Sequence, residues 1–183
     1  MSDIKVKFYN QITKIVINKA CQKAQKSQTT VSLNLSIEDI LNNDTVLYIE
    51  DELEKYGVAD LIIFEILESE NITDYEKIVT FINRVKKLGS KVAIDDFGSG
   101  YSNFVYLLKL KPDYIKIDGS IIKNMNDGEN SSLITKTIND FAHSLGIKTI
   151  AEFVHCKEIF DIAKDIGIDE FQGYYFSEPL KDF

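Results

Sequence analysis

Apolar positions recur along this chain in two alternating rhythms. Tyr9 to Ala24 carries Ile12, Val16, Ala20 and Ala24 at four-residue spacing, with Ile15 beside them, which predicts a helix. Val31-Ser32-Leu33-Asn34-Leu35 then alternates apolar and polar positions as a strand does. Ser36 follows as a helix N-cap, with Asp39 three residues on completing a weak capping box. Further helices are predicted over Thr45–Tyr56, Thr73–Leu88, Tyr101–Leu110, Asn130–Leu145 and Lys157–Ile166, several of them stopped by a glycine. Short apolar runs between them predict strands at Leu61–Leu67, from Val92 up to the acidic pair Asp95-Asp96, and at Tyr114–Asp118, Lys148–Val154 and Ile168–Phe171. Strand and helix alternate throughout, which is the rhythm of a parallel sheet. Gly98-Ser99-Gly100 does not extend to a dinucleotide-binding fingerprint, and no phosphate loop is present. Regular alternation without such a fingerprint favours an α/β architecture closed as a TIM-like (β/α) barrel over a doubly wound sheet. About six to seven strands are legible, short of the eight of a complete barrel. The expectation is a single domain over residues 1–183, either a barrel that is N-terminally incomplete or an open variant of one.

The polar residues inside these apolar strands carry the chemistry. Asn34, Glu65, the adjacent Asp95 and Asp96, Lys116 and Glu152 each stand in or at the end of a different strand. An isolated charge in a core strand costs several kcal/mol unless it is paired or bound to metal. In a barrel, such strand ends converge on one face. An asparagine oxygen and four carboxylates form a hard-ligand cluster able to hold two divalent ions, and a two-metal site suits phosphodiester hydrolysis. Lys116 adds a positive group for a phosphate or for the attacking water. A network of paired charges closing the barrel mouth is the alternative reading of the same residues.

Composition narrows the partners. Lysine and arginine number 21 against 29 aspartates and glutamates, a net charge of −8, which is a poor footprint for polymeric nucleic acid. Bound metal ions reverse that charge locally and still admit a phosphate ligand. Cys21 and Cys156 form neither a zinc spacing nor a disulfide framework, which points to a reducing compartment. No apolar run reaches membrane-spanning length and Met1 is not followed by a signal peptide. The expected location is cytoplasmic, with no membrane contact by this chain, although a parent protein is free to be anchored through other domains. His143 reads as a surface or satisfied residue, and Lys86-Lys87 as a solvated helix end.

Six segments, in order, resemble the EAL-domain phosphodiesterases, which cleave cyclic di-GMP. They are Ser32-Leu33-Asn34-Leu35-Ser36, Phe64-Glu65-Ile66-Leu67-Glu68-Ser69, Ile94-Asp95-Asp96-Phe97-Gly98-Ser99-Gly100-Tyr101-Ser102, Asp113-Tyr114-Ile115-Lys116-Ile117-Asp118, Ile150-Ala151-Glu152-Phe153-Val154 and Gln172-Gly173-Tyr174-Tyr175-Phe176-Ser177-Glu178-Pro179. The resemblance runs from about Tyr9 to Leu180. It implies a barrel of the EAL type holding two Mg²⁺ or Mn²⁺ ions, with Asn34, Glu65, Asp95, Asp96 and Glu152 as ligands and Asp95 bridging. It further implies that Lys116 holds the attacking water or the phosphate and that Glu152 is also the candidate general base. By the same resemblance Gln172 lies near the substrate. Glu68 anchors the loop from Asp96 to Ser102, which in the family couples the metal site to dimerisation. The implied product is linear pGpG, and the implied assembly a homodimer. Two departures stand out. No Glu-Ala-Leu tripeptide occurs, so the chain is read as beginning after the strand that carries it, with weakened metal affinity expected. His155 occupies the position of the family's second glutamate and supplies no such charge. The alternative to an enzyme is a non-catalytic domain for cyclic di-GMP binding or for dimerisation.

Overall fold

Several helix starts in this chain are built by side-chain caps. The computed structural model describes residues 3–67, 74–100, 104–126 and 129–179. Helix α1 spans Asp3–Ser27, β1 Val31–Leu35, α2 Ile37–Leu41 and α3 Asn43–Tyr56; a 3₁₀ turn, Ala59–Leu61, leads into β2 at Ile62–Leu67, and α4 spans Tyr75–Leu88. The Asp39 backbone N–H donates to Ser36 Oγ at 3.1 Å, and the Ser36 N–H returns a bond to Asp39 Oδ2 at 3.2 Å. This capping box opens α2, a short helix whose end the sequence pattern does not mark. Asn42 then stops α2 and caps α3, its Oδ1 accepting from the N–H groups of Asp44 and Thr45. Helix α1 begins earlier than the predicted Tyr9, because adding residues to an existing helix costs far less than nucleating one.

The chain divides into two compact units, Met1–Val92 and Ala93–Phe183. In the first, β1 and β2 pair in parallel with Leu33 opposite Phe64 and Asn34 opposite Glu65. Helix α1 packs on α3, and Ile17, Cys21, Ile49, Leu53, Phe64 and Phe81 lie buried. The rings of Phe64 and Phe81 meet edge to face at 5.7 Å, the geometry that aromatic quadrupoles favour. Burial pushes the Cys21 thiol up to about 11, so it stays protonated and behaves as a small apolar side chain.

The second unit takes up the strand β3 at Lys91–Phe97, followed by α5 at Phe104–Leu110, β4 at Tyr114–Ile117, α6 at Gly119–Ile122, α7 at Glu129–Ser144, β5 at Lys148–Ala151, α8 at Lys157–Ile166 and β6 at Glu170–Phe171. Strands β3 to β6 pair in parallel in chain order. Three predicted strands are shorter than expected, each for a local reason. Strand β4 stops before Asp118, whose Oδ1 turns to accept the Ser120 N–H at 2.8 Å and starts α6. Strand β5 stops at Ala151 because Phe153 adopts a left-handed backbone, φ 53°. Strand β6 loses Ile168, whose N–H is taken by the Ala163 carbonyl in the cap of α8.

His143 is a satisfied residue, and its partner ties α7 to the sheet. Its Nε2 lies 2.8 Å from Asp169 Oδ2, which also accepts the Thr149 backbone N–H at 2.8 Å. The Thr149 hydroxyl donates to the buried Asn139 at 2.6 Å. Burial alone would raise the Asp169 carboxyl, but the bonds from Thr149 and His143 outweigh it and hold it below the ordinary carboxylate range. A depressed carboxyl stabilises the fold above its unfolded pKa, about 4, and loses that effect as pH falls through the folded value. The melting temperature of Asp169→Asn should therefore lie below that of the unaltered chain at neutral pH, and the gap should close on acidification to about pH 3. Thermal unfolding of both chains across this range checks it; a gap independent of pH contradicts it.

Candidate active site

Asp95 and Asp96 are consecutive, so in a regular strand their side chains would point to opposite faces. The pairing of β3 with β4 breaks that rule. Ile94 lies opposite Ile115, but Phe97, three residues on, lies opposite Ile117, only two residues on. One extra residue is thus accommodated as a bulge, and Asp96 takes it up with a left-handed backbone, φ 56°. Aspartate tolerates this region better than most residues. The Asp96 N–H donates to Asp95 Oδ1 at 3.1 Å, and the Ser99 N–H donates to the Asp96 carbonyl at 3.2 Å. The bulge re-aims the pair: one carboxylate oxygen from each of Asp95, Asp96 and Glu152 lies within 4.8 Å of the others.

Lys116 enters from the middle of β4 and is only 4% exposed. Its Nζ reaches Asp95 Oδ1 at 2.8 Å and Glu152 Oε1 at 3.0 Å. Glu152 arrives one residue after β5, its N–H donating to the Ile117 carbonyl at 3.3 Å. Among the described residues, Asp95, Asp96 and Glu152 thus set three carboxylates against one ammonium. Burial raises the Glu152 carboxyl above its ordinary range; Lys116 opposes this and the charges of Asp95 and Asp96 reinforce it. The Asp96 carboxyl is likewise raised, by burial first and then by Asp95 and Asp118, with Lys116 opposing. Crowded oxygen donors with uncompensated negative charge suit a hard divalent cation such as Mg²⁺ or Mn²⁺, so the residues fit the metal that their pattern implies.

The remaining expected residues fall as follows. Asn34 and Glu65 are register partners in the first unit, Glu65 buried and Asn34 exposed. Gln172 has an exposed side chain, while its backbone N–H donates to the Ala151 carbonyl at 2.9 Å and its carbonyl accepts from Val154 at 3.0 Å, bracketing Glu152. Glu68, Tyr101 and Ser102 lie outside the described residues. His155 is exposed, its Nδ1 lying 3.3 Å from the Phe153 carbonyl oxygen. Two residues beside the cluster escape the sequence reading. Asp118 was legible as an N-cap in Asp118-Gly119-Ser120, whereas nothing in the sequence signals the backbone of Phe153.

The EAL domain family model matches residues 3–179. The cyclic di-GMP phosphodiesterase PdeB of Shewanella oneidensis is 35% identical over 150 residues, which cover 81% of this chain and 18% of that protein. The cyclic di-GMP phosphodiesterase PdeA of Borreliella burgdorferi is 33% identical over 149 residues, covering 81% of this chain and 22% of that protein. The chain thus spans about a fifth of the length of these curated relatives. Among solved structures, an EAL domain protein from Listeria monocytogenes aligns with a TM-score of 0.87 at 26% identity, over 97% of this chain and 72% of that one. The manganese and cyclic di-GMP complex of Klebsiella pneumoniae BlrP1 aligns with a TM-score of 0.84 at 26% identity, over 98% of this chain and 46% of that one.

Removing the ammonium should expose the electrostatic imbalance. Lys116→Met in metal-free buffer should destabilise the fold by about 3 kcal/mol, the penalty of leaving buried partners unpaired. Millimolar Mn²⁺ should recover most of that loss through binding to the folded state. Urea unfolding with and without Mn²⁺ measures both effects, and a variant as stable as the unaltered chain in both buffers contradicts the imbalance.

Proposed function

We propose a catalytic function from one premise: the chain belongs to the EAL-domain family. Its fold is accordingly the TIM-like (β/α) barrel of EAL domains. The proposed reaction is metal-dependent hydrolysis of cyclic di-GMP to linear pGpG. The observation that carries it is Lys116, buried and in contact with both Asp95 and Glu152, with Asp96 beside them. When bound, two Mg²⁺ or Mn²⁺ ions supply Lewis-acid stabilisation of the phosphoryl oxygens and a more acidic water.

The chain's own residues divide the remaining work. Asp95, Asp96 and Glu152 would hold the ions between them. The ligand assignment of Asn34 and Glu65 rests on their sequence match. Lys116 donates hydrogen bonds to the attacking water or to a phosphate oxygen, from an ammonium already fixed by two ion pairs. Glu152, its carboxyl raised, accepts the proton released as the water oxygen bonds to phosphorus. The phosphorus–oxygen ester bond then breaks and opens the ring. Gln172 borders the substrate on the Glu152 side. A homodimer belongs to the same reading, and α5 and α7 expose Val105, Leu108, Leu133 and Ile134 as apolar surface for it.

A binding module is the second reading, favoured by an imidazole, His155, at the position of the family's second glutamate. Incubation with cyclic di-GMP and Mn²⁺, followed by chromatography, separates the two. The proposal expects pGpG that vanishes with EDTA, and a rate reduced on the order of 10²- to 10⁴-fold in Glu152→Gln. Nucleotide bound but uncut supports the binding module; neither binding nor turnover overturns both.

A further inference from the structure

We infer that Phe153 is a stacking platform for a purine base of the nucleotide substrate, an inference that rests on the phosphodiesterase reading. Four non-glycine residues among those described have positive φ: Gln28, Asp96, Lys111 and Phe153. Two of these, Asp96 and Phe153, are a cluster carboxylate and the immediate neighbour of another. Asp96 is explained by the bulge. Phe153 is harder to explain by packing, because a bulky aromatic in the left-handed region is an outlier and burial does not compensate it. Its side chain is 64% exposed.

The surroundings hold this conformation from both sides. The Glu152 N–H bonds to Ile117, the Val154 N–H to the Gln172 carbonyl at 3.0 Å, and the Val154 carbonyl accepts from Tyr175 at 3.0 Å. The ring rests against Gly119, where an added Cβ would collide with Cβ, Cγ and Cδ2 of Phe153. Gly119 lies three residues past Lys116 and directly follows Asp118. The ring is therefore seated beyond the end of β4, next in sequence to Glu152, with its remaining surface open to solvent. Strain kept in place by backbone bonds and spent on presenting an exposed side chain points to function.

A purine base is the occupant that the cyclic di-GMP reading supplies. A nucleotide diester presents a phosphate, which the cluster takes with its ions, and a base displaced from it by a sugar. A chain of net charge −8 offers no general electrostatic attraction beyond that local phosphate site, so the base needs a contact of another kind. Stacking on an aromatic face is independent of charge and open to any base.

The test exploits the backbone. Phe153→Gly places at φ 53° the residue that best tolerates it, so the variant should melt no lower than the unaltered chain. Its KM for cyclic di-GMP should nevertheless rise on the order of tenfold, with kcat little changed, and Phe153→Tyr should keep the original KM. The chain contains no tryptophan, so Phe153→Trp introduces a lone indole whose fluorescence should quench saturably on adding cyclic di-GMP with Mn²⁺. An unchanged KM in Phe153→Gly, or an indole indifferent to nucleotide that is being hydrolysed, overturns the stacking role and leaves the phosphodiesterase reading standing. An unaltered chain that neither binds nor cuts cyclic di-GMP overturns that reading and this inference together.

Discussion

The structure turns on a charge imbalance that the fold does not resolve by itself. Lys116 is buried and gives its ammonium to two carboxylates at once, yet a third, Asp96, stands within reach of the same oxygens. Desolvating this many charges is costly, and a purely structural design would substitute apolar residues at little loss. Keeping one cation against three anions makes sense where a further cation is part of the working state. Burial raises the carboxyls of Asp96 and Glu152 first, and the neighbouring carboxylates add to it.

The backbone is bent to serve this cluster. A parallel strand delivers alternate side chains to opposite faces, and only the bulge in β3 lets two consecutive aspartates act together. Each strand end solves its own turn: Asp96 enters the left-handed region, Asp118 caps a single helical turn, and Phe153 leaves the sheet with an exposed ring. Helix α7 packs on both α8 and β5. These contacts supply stiffness that keeps the turns in place, as does the Asn139–Thr149–Asp169–His143 chain between α7 and β5.

Much of this was legible in the sequence, and the gaps share a cause. Val31–Leu35 and Lys157–Ile166 have the bounds that their periodicity predicts, because local pattern and tertiary burial agree there. The polar positions in the strands point to Asp95, Asp96, Lys116 and Glu152, since a charge in an apolar run must be paired or ligated. What escaped was backbone detail. The register shift in β3 depends on its neighbour strand, and the early end of β5 depends on a φ angle that no phenylalanine advertises. Ser36 is legible as a helix start, but the length of the helix it opens is not, because Asn42 acts as stop and start at once.

The central claim is that Asp95, Asp96 and Glu152 together form a site for a divalent cation. Titration of Mn²⁺ into the chain, followed by the loss of the free-ion signal in electron paramagnetic resonance, tests it without substrate or turnover. The account predicts saturable binding that weakens strongly in Asp95→Asn and Glu152→Gln while both variants stay folded. Equal Mn²⁺ binding by the unaltered chain and both variants would place the ion elsewhere and contradict it.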